Sequence, residues 1–282
     1  MILELLEKAA VDIKNTNAGK AFLKIENVPT SVKHNLPFGI ASMLSTINQL
    51  HMLDNVSRVG IGLSGGADSL ALLEAITILI NSGYLPNIDM VPIHINQYMN
   101  LQKVARLEEF VHSRYGLTLQ VFTADTRDTA AKLLQQGKAP CRGCAPIRAR
   151  ILAEASSDLQ LNALAVGHHL NDAMATLLMN IFHKGKIETM QPIVFRKHNR
   201  EIPILRPFYF TEEKQVKDIC PVGPEGLFDC GMCDLHASER ARATLYVEET
   251  FKQHGISSHF AQEVLQSLLY PNNGLSNSKH NI

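Results

Sequence analysis

The run Ile61-Gly62-Leu63-Ser64-Gly65-Gly66-Ala67-Asp68-Ser69-Leu70 constrains this chain more than any other stretch. The apolar segment before it, residues 56–61, reads as a buried strand. The segment after it, residues 69–80, places Leu70, Leu73, Ala75, Ile76 and Ile80 at helical spacing. A strand that ends on a Ser-Gly-Gly turn and feeds a helix builds an anion cradle. Glycines let backbone N–H groups point inward with no Cβ in the way, and the helix N-terminus adds partial positive charge. Asp68 and Ser69 stand where they can cap the helix or reach a metal on bound phosphates. The Gly-Lys-Ser/Thr ending of a Walker loop is absent.

Downstream of the turn, strands and helices alternate. Residues 88–95, 117–122 and 163–166 read as strands, and 101–115, 147–155 and 172–182 as helices. This rhythm predicts an α/β fold with an open parallel sheet and helices on both faces. Ligands of such sheets sit beyond the carboxyl ends of the strands. The glycine turn, His94, Asn96, Asp125 and Gly167-His168-His169 all fall at such ends. Residues 1–53 are expected to be a helical N-terminal extension, with one helix over 1–13 and another pattern over 32–53 interrupted near Pro37. Residues 54–270 form the main domain, and 271–282 a flexible polar tail. Residues 260–269 form an apolar-striped helix for packing or for a homodimer.

Composition narrows the setting. The 282 residues are 45% hydrophobic and 19% charged with a formal net charge of zero. No apolar run approaches the ~20 residues of a membrane span. Glu4 and Glu7 interrupt the first helical pattern as no signal peptide would, so a cytoplasmic protein is expected. Of five cysteines, four form the pairs Cys141-Arg142-Gly143-Cys144 and Cys230-Gly231-Met232-Cys233, while Cys220 stands alone. In a reducing compartment such pairs read as a zinc or iron–sulfur site, with a redox disulfide as the third reading. In Val166-Gly167-His168-His169-Leu170-Asn171-Asp172, Gly167 permits close approach of a nucleotide. Asn171 and Asp172 are helix caps, and Asp172 is also a magnesium ligand candidate.

Ser64-Gly65-Gly66-Ala67-Asp68-Ser69 resembles the PP-loop of ATP pyrophosphatases, which cleave ATP to AMP and pyrophosphate while adenylating a substrate oxygen. The resemblance extends, roughly over residues 56–242, to tRNA 2-thiocytidine synthetases of the TtcA type. It runs through Cys141-x-x-Cys144, Arg148, Gly167-His168-His169-x-x-Asp172, Thr176-Leu177, Asn180-x-Phe182, Gly185-Lys186, Leu205-Arg206-Pro207, Glu213-Lys214 and Cys230-x-x-Cys233. It implies ATP held by Leu63, Ser64, Gly65, Gly66, Asp68, Ser69, His94, Gly167 and His168. It also implies Mg²⁺, and a 4Fe–4S cluster on Cys141, Cys144 and Cys230, with Cys233 the alternative third ligand. Asp68, Asp172 and the three cysteines would be the catalytic set, replacing a base carbonyl oxygen by sulfur in a tRNA anticodon loop. The chain departs from that pattern at Ala67, where the family has lysine, at Asn171 (aspartate), at Ala175 (glutamate), and at Asn96, near which an aspartate often follows.

Lys138, Arg142, Arg148, Arg150, Lys184, Lys186, Arg196, Lys197, Arg200 and Arg206 point to a basic face around the cysteine loop, suited to tRNA phosphates. The alternatives are desulfuration, thiolation of a free nucleobase or small molecule, and a non-catalytic zinc- or redox-sensing nucleotide binder. Sequence does not identify the sulfur donor.

Overall fold

The computed structural model describes residues 36–97, 100–138, 140–195, 202–228, 239–254 and 258–270. The expected helix over 1–13, the tail, and both Cys230 and Cys233 lie outside them; Cys141 is described through its backbone.

The chain enters through α1 (Phe38–Gln49). It then alternates β1 (Arg58–Gly62), α2 (Ala67–Asn81), β2 (Asp89–Asn96), α3 (Leu101–Tyr115) and β3 (Gln120–Thr123). Helices α4 (Arg127–Gln135) and α5 (Cys141–Asp158) lead back to β4 (Ala163–Ala165), followed by α6 (Leu170–Lys184). A short hairpin of β5 (Ile193–Val194) and β6 (Ile204–Leu205) precedes α7 (Glu213–Ile219), α8 (Glu239–His254) and α9 (Ser258–Leu269).

The sheet order is β3-β2-β1-β4-β6-β5, parallel throughout except for the antiparallel pair β5–β6. The expected parallel sheet therefore carries one antiparallel edge strand, made by a hairpin too short for a crossover helix. Strand order reverses between β1 and β4, which opens a crevice at their carboxyl ends.

Strand alternation divides the core. Val59 and Ile61 of β1 and Ala163 and Ala165 of β4 face one side, where Leu70, Leu73 and Ile76 of α2, Leu107 and Val111 of α3, and Ile40, Met43 and Ile47 of α1 are buried. Helix α1 thus packs into the core of the sheet domain. Val91, Ile93 and Leu164 face the other side, under Leu152 of α5. A second cluster joins Leu170, Met174 and Leu177 of α6 to Val247 of α8 and to Ala261, Val264 and Leu265 of α9. Helix α9 is therefore a packing helix of its own chain. No helix among the described residues is long and apolar enough to cross a membrane.

The sequence pattern places a helix at 147–155, but α5 begins at Cys141. Pro140 stands at its N-cap, and its carbonyl accepts from the N–H groups of Gly143 (3.0 Å) and Cys144 (3.2 Å). Pro146 removes one N–H near the start of the helix, which the helix tolerates. The first C-x-x-C pair is thus a helical first turn.

Candidate active site

The Ser-Gly-Gly turn leaves β1 and is closed by its own hydroxyls. Ser69 Oγ accepts from the Ser64 N–H at 3.1 Å and donates to the Gly66 carbonyl at 2.8 Å, while Gly66 N–H donates to Ser64 Oγ at 3.3 Å. Gly65 sits at φ +91°, in the left-handed region that favours glycine. His94, at the end of β2, braces the turn from below. Its Nδ1 lies 2.8 Å from the Leu63 carbonyl; since a carbonyl only accepts, Nδ1 carries the hydrogen. Burial pushes the His94 pKa down, against weaker opposing effects of the Leu63 carbonyl and Glu108, so the ring is neutral at pH 7.

Two other segments close on this turn. The loop after β4 comes so near that a Cβ on Gly167 would lie 2.7 Å from the Asp68 carbonyl oxygen. From the far side, the Gly65 carbonyl accepts from Leu227 N–H at 2.9 Å and Phe228 N–H at 3.3 Å. The Phe228 ring covers Gly65, stands edge-on to His94 with centroids 6.3 Å apart, and lies 5.3 Å from Lys103 Nζ. The chain at 227–228 is thus fastened to the turn.

Charged groups gather on the α6–α7 side. Asp172 Oδ2 accepts from the His169 N–H at 3.2 Å, capping α6 as expected. Asn171 instead accepts from the Glu213 N–H at 3.1 Å, so it caps α7 and ties the two helices together. The His169 ring lies between carboxylates, with Nε2 3.6 Å from Asp172 Oδ2 and 3.8 Å from Asp68 Oδ2. Asp68 Oδ1 and His169 Nδ1 are buried without a hydrogen-bond partner. Glu213 pairs with Lys217 at 2.6 Å. Burial pushes the Asp68 carboxyl up; His169 opposes this, and Asp172 and Glu213 reinforce it. Glu248 of α8 is likewise raised by burial and by its hydrogen bond to Glu213. Sequence reasoning missed Glu248, Lys217 and Phe228, which no local motif marks.

On the α5 side, a cavity of about 220 Å³ opens between α5, β4 and β6, with Arg148, Leu152, Val166, His168 and Arg206 in its lining. It is smaller than the ~300–1,000 Å³ of drug-sized ligand sites. Arg206 Nε donates to His168 Nδ1 at 3.3 Å. Cys144 is buried, and its carbonyl accepts from Gln97 Nε2 at 3.1 Å, which fastens the cysteine turn to the end of β2. Cys220 is also buried, at the C-cap of α7, and its thiol pKa is pushed up first by burial. Asp125, in the loop after β3, is committed to Arg127 at the start of α4. Among the described residues no group of three or more His, Cys, Asp or Glu is arranged to hold a metal by itself.

Two predictions follow from this geometry. Gly167→Ala forces the β4 loop off the Asp68 backbone, so kcat/KM for ATP falls about 100-fold, the cost of a ~1 Å misplacement; steady-state kinetics measure it. Asp68→Asn acts on stability in the opposite sense. A carboxyl raised on folding binds its proton more tightly in the folded state, so the stability it lends below pH ~4 is lost as pH rises through its folded pKa. The variant therefore melts higher than the parent at pH 7, and the difference vanishes below pH ~4.

The PP-loop domain family matches residues 41–223. The chain is 27% identical over 213 residues to a tRNA-cytidine(32) 2-sulfurtransferase of Nitrosospira multiformis, covering 74% of this chain and 68% of that protein. It is 28% identical over 188 residues to the Neisseria gonorrhoeae protein of the same name, covering 67% and 58%. It therefore spans 58% to 68% of the length of these curated relatives. The U34-tRNA thiolase NcsA from Methanococcus maripaludis, solved with its 4Fe–4S cluster, shares the fold at 20% identity and a TM-score of 0.63, over 82% of this chain and 80% of that one. With the turn between β1 and α2 at the switch point of the sheet, and a family match over most of the described core, this chain belongs to the PP-loop domain family.

Proposed function

We propose that this protein is an ATP-dependent tRNA sulfurtransferase that adenylates a base carbonyl oxygen and replaces it with sulfur. The observation that carries this reading is that hydrogen bonds tether Cys144 to the end of β2 and the 227–228 backbone to the PP-loop turn. Gln97, at the end of β2, holds Cys144, and the Leu227–Phe228 backbone, which leads to Cys230, is bonded to Gly65.

The residues divide the work. The N–H groups of Gly65, Gly66 and the α2 N-terminus face the departing pyrophosphate, where fixed dipoles stabilise charge with little reorganisation. Ser64 and Ser69 lock that turn, and Leu63 is set by His94. Asp68 and Asp172 are the carboxylates for Mg²⁺, which takes one or two carboxylates plus substrate phosphates. The partnerless Asp68 Oδ1 fits that role. When bound, Mg²⁺ offsets phosphate charge. His169 lies between the two carboxylates, and Gly167 lets the β4 loop reach the nucleotide. The Arg148–Arg206 cavity offers a place for one flat base beside the reacting phosphate.

Cys141, Cys144 and Cys230, with Cys233 as the alternative, would hold a 4Fe–4S cluster. The buried cysteine Cys144, on a helical first turn, is the residue type such a group takes as ligand. Held by three thiolates, the cluster would supply an open coordination position for sulfide, the group that displaces AMP with the base oxygen. Arg148, Arg150, Lys184, Lys186 and Arg206 are the cations for RNA phosphates, with Arg150 shared with Glu154, Lys186 with Glu188, and Arg206 with His168 and the Gln191 carbonyl. A cytoplasmic location fits such a substrate.

The test has two arms. Asp172→Asn lowers RNA-dependent pyrophosphate release about 100- to 1,000-fold, the cost of losing one such electrostatic group. In anaerobic preparations Cys141→Ala, Cys144→Ala and Cys230→Ala each lose iron, while Cys220→Ala keeps it. Loss of iron in Cys220→Ala with retention in Cys230→Ala overturns the ligand assignment.

A further inference from the structure

The nucleotide turn has an electrostatic shortfall. Between Leu63 and Ser69 it offers hydroxyls, amides and a helix N-terminus, but no side-chain cation. Beside it stand Asp68 and Asp172, with Glu213 close enough to both Asp68 and Glu248 to disturb their protonation. Four carboxylates repel an incoming triphosphate, and one bound divalent ion does not balance that charge.

Helix α7 supplies what the turn lacks. It packs along α2, with its N-terminus tied to α6 by the Asn171 side chain, next to Asp172. Its other end, at Cys220, lies close enough to Asp68 for that carboxylate to act on the thiol. Val216 and Ile219 bury one face of α7, which leaves Glu213 and Lys217, one turn apart, together on a more exposed face. The Lys217 side chain is 40% exposed, so its ammonium keeps room to move on a partly packed stem. Burial depresses its pKa, but Glu213, Asp68 and Glu248 more than offset this, so it stays charged.

We propose that Lys217 leaves Glu213 when nucleotide binds and contacts the β- and γ-phosphates, supplying from α7 the cation that position 67 lacks. The contact belongs to the pyrophosphate half of ATP, and Lys217 is a phosphate-binding residue of the same site. The inference rests on the reading of the turn as an ATP site.

Calorimetric titration with pyrophosphate, AMP and α,β-methylene ATP, each with Mg²⁺, tests it on the full chain. Lys217→Met weakens pyrophosphate and the triphosphate analogue about 10- to 100-fold, the loss of one charge-assisted contact, and leaves AMP nearly unchanged. Lys217→Arg stays within about 3-fold of the parent, because it keeps the charge. Glu213→Gln combined with Lys217→Met removes the ion pair as a unit and still binds pyrophosphate about 10-fold more weakly. Parental affinity in that double variant overturns the inference, because Lys217 then serves only to neutralise Glu213. Equal losses for AMP and pyrophosphate, or none for either, also overturn it. A parent protein that binds none of the three ligands refutes the ATP-site reading itself, a result distinguishable from failure of the Lys217 assignment alone.

Discussion

The site depends on backbone packed against backbone. Three segments distant in sequence, 63–69, 166–169 and 226–228, meet with almost no side chain between them. Gly167 lies against the Asp68 carbonyl, Gly226 lies where a Cβ would stand 2.6 Å from Ala67 N, and the Gly65 carbonyl receives two N–H groups. Contacts of this kind fix amide directions more tightly than flexible side chains do, and fixed amides are what an anionic leaving group needs. The sheet makes the meeting possible, because strand order reverses between the two strands that carry the first two segments.

Around that frame the charges are arranged at some cost to the empty protein. Asp68, Asp172, Glu213 and Glu248 crowd one side, with His169 and Lys217 among them, and two buried polar atoms have no partner. Crowded carboxylates of this kind lower stability, the usual relation between stability and function at a functional site. The cysteine side is calmer. Cys144 is buried, its carbonyl is held by Gln97, and the Gln97 carbonyl in turn accepts from buried Thr126.

Much of this was legible in the sequence because it is local. The strand–turn–helix at 56–80 and helix α3 follow from apolar periodicity, and the structure places α3 at the expected residues. Gly167 and Asp172 were marked by their position at a strand end. Other features depend on tertiary contact. Glu248, Lys217 and Phe228 lie on segments with no motif of their own, and they matter through what α7, α8 and the 223–228 loop pack against. Asn171 looked like a cap for its own helix but caps α7, because Asp172 already takes the N–H at the start of α6. Apolar periodicity marked a helix only from 147, but α5 begins at Cys141, where the Pro140 carbonyl accepts from Gly143 and Cys144.

The central claim is that adenylation at the PP-loop serves replacement of oxygen by sulfur in RNA. The most direct measurement incubates anaerobically reconstituted protein with ATP, a sulfide source and tRNA lacking thiolated bases, then digests the RNA and weighs its nucleosides. The account predicts a pyrimidine nucleoside in which one oxygen is replaced by sulfur, formed only with ATP and in proportion to the AMP released. RNA unchanged in mass while AMP accumulates, or sulfur lost from tRNA thiolated beforehand, would contradict it.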